Sequence, residues 1–393
     1  MVEWKTIEEV FELRNGYTPS KNNPEYWDGG TIPWFRMEDI RQNGHVLGDS
    51  IQHITPISVK KSGLFPANTI IMATTATIGE HALVIVDSLA NQQFTGLVTR
   101  KSLVQSVLPR FAFYYCFLLG EWCKQHIHQG GFASVDMEGF KKYPFPIPSL
   151  SEQERIVGIL DTFTAGIENI KEQIAQRRKQ YEYYRDELLD LEGKDGVEMK
   201  TLGEVLISLK TGLNPRNNFV LNSSESANYY ITVRELGMFN IKPIDKTDKV
   251  SDEALKLINN RSNLEEGDVL FSGTGTIGRT ALVKEKPKNW NIKEGVYSLK
   301  PRKDCVNSYF LVQLLHTNTI IDKISALVVG DPIRSIPMKS LVSMIIPVPS
   351  LQDQRRIVSI LDTFEASIAN LEAQLKQREK QYEYYRNKLL TFE

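Results

Sequence analysis

Two glycine- and threonine-rich stretches are the first candidates for chemistry. Thr74–Gly79 reads TTATIG and Thr274–Gly278 reads TGTIG. A phosphate-cradling loop ends in Gly-Lys-Ser/Thr, so that backbone N–H groups and a lysine converge on the anion. Neither stretch continues that way, and both read as tight turns between strands. His126 and His128 flank Ile127 near a helix end. With no acid at metal spacing they read as a surface pair rather than a zinc site. The chain holds no Gly-x-Ser-x-Gly elbow and no His-Glu-x-x-His pair. Asn23-Pro24-Glu25 and Asn214-Pro215-Arg216 lack the Asn-Pro-Pro-aromatic tetrad of adenine methyltransferases. No carboxylate pair stands out as acid and base. These residues favour binding and scaffolding over catalysis, with no metal and no catalytic residue assigned.

The elements that would carry such residues are written twice. Residues 146–192 and 347–393 share 29 identities in 47 positions at a fixed offset of 201. Fainter echoes precede them. WKTIEEVFEL at 4–13 resembles MKTLGEVLIS at 199–208, and LFPANTIIMATTATIGEHALVI at 64–85 resembles LEEGDVLFSGTGTIGRTALVK at 264–284. FASV at 132–135 echoes IRSI at 333–336. The layout is variable block (1–145), constant block (146–198), variable block (199–345), constant block (346–393). Two long units imply a pseudo-two-fold molecule rather than a solenoid.

The constant blocks carry unbroken heptads. Ile156, Leu160, Phe163, Ile167, Ile170, Ile174, Arg177, Tyr181, Tyr184, Leu188 and Leu191 alternate spacings of four and three. Ile357, Leu361, Phe364, Ile368, Leu371, Leu375, Arg378, Tyr382, Tyr385, Leu389 and Phe392 repeat the pattern. Such a seam winds left-handed against a partner helix. About 38 residues at 1.5 Å rise make a rod of roughly 57 Å. Ser149 with Glu152, and Ser350 with Asp353, fit helix caps. The preceding prolines (Pro144, Pro146, Pro148; Pro347, Pro349) read as a stiff extended hinge. A two-fold would pair the helices antiparallel. Full overlap would set Arg177 near Glu372, and Arg378 near Glu168 or Glu172. Tyr183 and Tyr384 fall off the seam, as interface anchors or as caps of the bundle.

The variable blocks read as mixed α+β. Thr69–Ala73, Ala82–Val86, Val269–Ser272 and Ala281–Val283 look like strands, and Arg110–His126 and Ser308–Ser325 like amphipathic helices. The fold class is therefore α+β: two globular mixed domains separated by two long antiparallel coiled-coil helices.

Composition supports a chain of ordinary globular type. Its 393 residues are 41% hydrophobic and 24% charged, which excludes collagen-like, mucin-like and wholly disordered classes. No apolar run approaches the ~18–20 residues of a membrane span. The first residues, with acids by Glu8 and no apolar core, do not read as a signal peptide. Cys116, Cys123 and Cys305 are an odd count without Cys-x-x-Cys, which suits reduced thiols in the cytosol. Net charge is −1 overall, yet the four blocks carry −1, −5, +5 and 0. Residues 199–345 are basic enough to suit a polyanion.

The order of these blocks resembles the specificity subunit of type I restriction–modification systems. The resemblance rests on the paired IPSL…EQERIV…ILD and VPSL…DQRRIV…ILD segments, the QYEYYR tails, and the T-x-T-I-G turns. It also rests on Trp34–Ile40 (WFRMEDI) against Tyr230–Leu236 (YITVREL), and it covers the whole chain. It implies two target recognition domains, each reading one half of a bipartite double-stranded DNA sequence, with the helices as spacer. Half-sites one helical turn apart lie ~34 Å from each other, within reach of such a rod. It implies two methyltransferase subunits docked on the helices, with S-adenosylmethionine. Two restriction/translocase subunits would add ATP and Mg. The chain itself would hold no cofactor, catalyse nothing, contact no membrane and work in the cytoplasm.

Base readout then needs polar side chains on accessible loops. The candidates in the first block are Arg36, Thr74, Thr75, Thr77, Gln92, Gln93 and Ser134; those in the second are Arg234, Ser272, Thr274, Thr276, Arg279, Lys293 and Arg334. The competing reading from another class is a protein-assembly scaffold on the same coiled coil, without DNA. A fused enzyme is disfavoured because the repeat uses up the length. The target sequence itself is not readable from these residues.

Overall fold

The computed structural model describes residues 2–128, 133–216, 218–330 and 332–392. It divides into two compact units, residues 1–171 with 373–393, and residues 172–372. Both unit boundaries cut through the long helices, because each variable block packs on the start of one helix and the end of the other.

In the first unit the central sheet runs Phe11–Asn15, Phe94–Thr99, Thr69–Ala73, His81–Val84, Val46–Leu47, antiparallel except for the last pair. Thr69–Ala73 is buried at every position. Ile70 and Met72 join a core with Leu97 and the helix residues Phe111 and Leu119. Ile71 and Ala73 join a separate cluster with Phe35, Leu47 and Phe65. A strand covered on both faces needs a continuous apolar run, since successive side chains point to opposite sides. The helix Pro109–Gln125 opens with proline at its first position, where the missing N–H costs nothing.

The second unit repeats this with Leu206–Thr211, Val296–Pro301, Val269–Ser272 and Thr280–Leu282. Its helical stretch is broken. Ser308–Leu315 and Asn318–Ala326 are separate helices, not the single one expected over Ser308–Ser325. His316 ends the first, and Thr317 turns its hydroxyl back onto the Leu314 carbonyl at 2.9 Å. The expected strand bounds also shift by one or two residues, to His81–Val84 and Thr280–Leu282.

The proline segments are strands rather than hinges. Pro144–Ile147 pairs antiparallel with Glu3–Thr6, and Ile345–Val348 with Glu198–Thr201. In a two-stranded ribbon alternate residues have an outward N–H, so prolines there remove no ladder bond. Each variable block thus begins and ends on one ribbon.

The long helices span Leu150–Leu189 and Leu351–Leu390. The cap serines perform as expected: Glu152 N donates to Ser149 Oγ at 3.4 Å, and Asp353 N to Ser350 Oγ at 3.2 Å. Within the first unit Phe163 stacks on Tyr385 with centroids 5.4 Å apart. Within the second Phe364 stacks on Tyr184 at 5.3 Å. The start of one helix therefore lies against the end of the other, an antiparallel seam. Ile156, Leu160, Ile167, Ile174, Tyr181, Ile357 and Leu361 are buried.

The two seam arginines do not take the partners expected. Arg177 lies over the Phe364 ring at 5.9 Å and bonds Gln180, while its neighbour Arg178 pairs with Glu372 at 2.6 Å. Arg378 lies over Phe163 at 5.8 Å and bonds Gln381. A seam position points straight at the partner helix. There a flat guanidinium stacks on the facing ring, and the flanking position reaches the acid outside it. Tyr183 and Tyr384 stand out at 60% exposure each.

Candidate nucleic-acid interface

Each variable block gathers several loops at the far end of its central hairpin. In the first unit the turn after Ala73 is closed by Ala73 N to Glu80 O at 2.7 Å and Gly79 N to Ala73 O at 3.0 Å. Gly79 has a φ of +89°, and a Cβ there would lie 2.5 Å from the Gly120 carbonyl oxygen. Position and curvature both demand glycine. Thr74 N donates to Gln93 O at 2.9 Å and Val135 N to Thr74 O at 3.0 Å. Thr75 and Ser134 form an isolated bridge, and Asn91 N reaches Phe35 O at 3.0 Å. The turn, the 91–93 loop, the 133–136 arm and the start of the helix Met37–Asn43 thus meet.

The second unit builds the same rim. Ser272 N donates to Arg279 O at 2.8 Å, Gly273 N to Gly295 O at 2.8 Å, Gly275 N to Arg334 O at 3.0 Å, and Lys293 N to Ile231 O at 2.8 Å. Arg279 Nη1 also donates to Val233 O at 3.4 Å, which ties in the Val233–Glu235 turn. Thr274 bridges Ser335 as Thr75 bridges Ser134.

The candidate readers divide on this rim. Arg234, Thr276, Arg279, Lys293, Arg334 and Gln92 are exposed, while Arg36, Thr75, Thr77, Gln93, Ser134 and Thr274 are half-buried. Thr74 and Ser272 lie inside. Thr74 shares a hydrogen bond with Thr95 at 3.0 Å. Ser272 is 0% exposed, donates to Thr276 O at 2.6 Å and accepts from Arg279 N at 2.8 Å. These two hydroxyls are spent on internal hydrogen bonds and are buried, not presented on the accessible loop surface expected of them. Thr75 with Thr274, and Thr77 with Thr276, are true counterparts. Arg36 and Arg234 are not: Arg36 stands at the helix N-cap where the second repeat has Thr232, and Arg234 where the first has Glu38.

Charge on the two rims differs. Arg234 lies 3.8 Å from Glu235 and from Asp248, and the second rim also exposes Arg279, Lys293 and Arg334. On the first rim Arg36 pairs with Glu38 at 3.0 Å, and its Nε has no partner. Beneath the rims a histidine sits in each unit at exchanged places. His81, on a strand, donates from Nε2 to Phe113 O at 3.1 Å and packs on Phe117 at 4.5 Å. In the second unit the strand position is Thr280, and His316 on the helix bonds its hydroxyl at 2.7 Å. Burial holds the two imidazoles down to about 3 and about 4, so both are neutral packing groups.

Two rim features escaped the sequence reading. A Cβ on Gly16 would meet Asn91 O at 2.2 Å, and one on Gly212 would meet Ile292 O at 1.9 Å. Each lets a strand end cross the rim loop. The residues after them contribute polar groups: Thr18 to Gln92 at 2.5 Å, and Asn214 to Glu294 at 2.7 Å. The signal was present as Gly-x-Thr-Pro at 16–19 and Gly-x-Asn-Pro at 212–215. His126 stacks on Trp122 at 4.2 Å and His128 lies 3.5 Å from Asp136. Among the described residues no group of three or more His, Cys, Asp or Glu could hold a metal, and no helix is long and apolar enough to cross a membrane.

Comparison with known proteins bears on the whole arrangement. The type I restriction enzyme EcoprrI specificity subunit of Escherichia coli is 46% identical over 242 residues, 58% of this chain and 60% of that protein. The EcoR124I/EcoR124II specificity subunit, also of Escherichia coli, is 34% identical over 198 residues, 47% of each chain. The matched stretches thus span about half to three fifths of these relatives. A solved structure on complex assembly and conformational transition of the type I R-M system shares the fold at a TM-score of 0.64 and 20% identity, over 99% of this chain and 96% of that one. The S subunit from M. genitalium shares it at 0.52 and 17%, over 100% and 97%. The model of the type I restriction modification DNA specificity domain matches twice, at residues 1–177 and 194–380. By that double match, laid over two copies of one rim on one pair of helices, the chain belongs to the type I restriction modification DNA specificity family.

Proposed function

We propose that this chain is the DNA sequence-specificity subunit of a type I restriction–modification complex. Each rim reads one half of a bipartite double-stranded target, and the long helices set the distance between the halves. The observation that carries this reading is the duplicated rim. Hydroxyls of Thr75 and Thr77, and of Thr274 and Thr276, are presented at matched places on rigid turns, with guanidinium groups beside them in the second copy. Backbone atoms close the turns, so side chains are left for base edges in the major groove. The basic excess of residues 199–345 supports phosphate contact there.

The helices supply docking surface for two methyltransferase subunits. In the first unit Ile159, Phe163, Arg378, Gln381, Tyr385 and Leu389 line a largely apolar groove of about 600 Å³. The duplicated sequence sets Ile360, Phe364, Arg177, Gln180, Tyr184 and Leu188 at the corresponding places of the second. Two copies of one surface suit two copies of one partner. S-adenosylmethionine belongs on those partners, and ATP and Mg on two restriction/translocase subunits. This chain works in the cytoplasm without a catalytic group of its own.

Filter binding with the methyltransferase subunits present tests the reading, and single-molecule sequencing of host DNA maps methylated adenines. A bipartite, asymmetric target is the expected result. Specific binding of no duplex, with partners bound, returns the chain to the scaffold class.

A further inference from the structure

Two apolar residues of one hairpin break the polar character of the second rim, Val329 at 51% exposure and, further out, Ile333. Ile333 is 75% exposed, although its neighbour by three, Ile336, is fully buried and fixed in the core. The backbone around it is hydrogen-bonded in place. Val329 N donates to Ser335 O at 2.8 Å and Ser335 N to Val329 O at 2.9 Å, closing a small hairpin. That hairpin is tied to the Thr-Gly-Thr turn by Gly275 N to Arg334 O at 3.0 Å and Ile336 N to Gly273 O at 2.8 Å. Gly330, at φ +93°, makes the bend; a Cβ there would lie 2.6 Å from the Ile333 carbonyl oxygen. Ile333 is therefore exposed next to Arg334 on a hairpin tied to the turn that carries Thr276 and Arg279, and those three residues are exposed as well.

An apolar group inside a cationic, hydroxyl-rich rim does not suit an acidic protein surface, which would leave the isoleucine against water or carboxylates. It suits the major groove of DNA. There the C5-methyl of thymine is the one apolar feature among donors and acceptors, and aliphatic side chains recognise it by contact. The sequence repeats the choice. Phe132 precedes Ala-Ser-Val as Ile333 precedes Arg-Ser-Ile, so an apolar residue recurs where its neighbour changes from alanine to arginine. Phe132 lies outside the described residues and forms no part of the contact argued for.

We infer that Ile333 is a specificity-determining residue that packs on a thymine methyl in the second half-site. The inference rests on the DNA-reading function proposed above. Its test uses the full chain assembled with its methyltransferase subunits, and duplexes in which each thymine of the second half-site is replaced by deoxyuridine, which lacks only that methyl. Loss of one buried methyl contact corresponds to about fourfold weaker binding. At one thymine the wild-type complex should lose that factor, and the Ile333→Ala complex should already be weaker and lose nothing further there. Equal losses in both complexes, or no sensitive thymine for the wild type, overturn the assignment while the complex still reads DNA. A wild-type complex that binds no duplex overturns the DNA reading and this contact with it. The wild-type arm does not depend on how the variant folds.

Discussion

The hydroxyl of Tyr181 lies 2.9 Å from Oε1 of Glu365 and 2.7 Å from Oε1 of Gln313, so one proton faces two acceptors. Gln313 Nε2 in turn donates to Glu365 at 3.0 Å. This triangle joins the variable block of the second unit to both long helices. In the first unit Asp161 ties the variable block to the first long helix, accepting from Tyr114 at 2.5 Å and from Arg110. Burial of Glu365 raises its pKa above the ordinary carboxylate value of 4.5, and a protonated Glu365 could donate to Tyr181 and leave that hydroxyl for Gln313.

The sign of the pH effect follows. A carboxyl whose folded pKa is raised contributes stability in full below 4.5 and loses it as pH rises through the folded value. Glu365→Gln should therefore unfold at higher urea than wild type at neutral pH, with the two midpoints converging in acid. Tyr181→Phe should lose about 1–3 kcal/mol, because the buried Gln313 side-chain carbonyl loses its donor. Midpoints in parallel at all pH would place the proton elsewhere.

Ser272 and Thr276 sit in one turn with opposite fates. Ser272→Ala removes a buried hydroxyl that both donates and accepts, and about 1–3 kcal/mol of stability should go with it. Thr276→Ala at an exposed position should leave the melting temperature unchanged and weaken specific DNA binding. Thermal melts and binding curves on both variants separate the two roles.

Arg234 and Lys293 should differ in kind. If Arg234 makes a bidentate contact to a base, Arg234→Ala costs about 1–3 kcal/mol of binding and relaxes preference at one position of the second half-site. Lys293→Ala, as a phosphate contact, should weaken all sequences alike and reduce the salt slope by about 1. Unchanged affinity and preference for Arg234→Ala removes it from the rim's readers.

The helical blocks act as a ruler in this reading. Inserting one heptad into either of them keeps the seam in phase and adds about 10 Å of rise. The gap between half-sites should lengthen or specific binding should vanish, and methylation mapping reads which. An unchanged target contradicts the ruler.

Much of this molecule was legible from residue order. The duplication, the antiparallel heptad seam, the serine caps and the T-x-T-I-G turns all depend on local spacing, and local spacing sets period and phase directly. Thr69–Ala73 and Val269–Ser272 were recognisable because a strand buried on both faces is apolar along most of its length.

What only the tertiary structure decided depends on contacts distant in sequence. Thr74 and Thr75 are adjacent threonines in one motif. One is sealed against Thr95 on the neighbouring strand and the other bridges Ser134 on the rim. Prolines that look like a hinge become a strand because Glu3–Thr6 and Glu198–Thr201 return to pair with them. Arg177 turned to a ring instead of a carboxylate because the facing seam position holds Phe364. Sequence determined which groups exist and their phase along each element. Packing determined which of them face solvent, because exposure is a property of what the rest of the chain leaves uncovered.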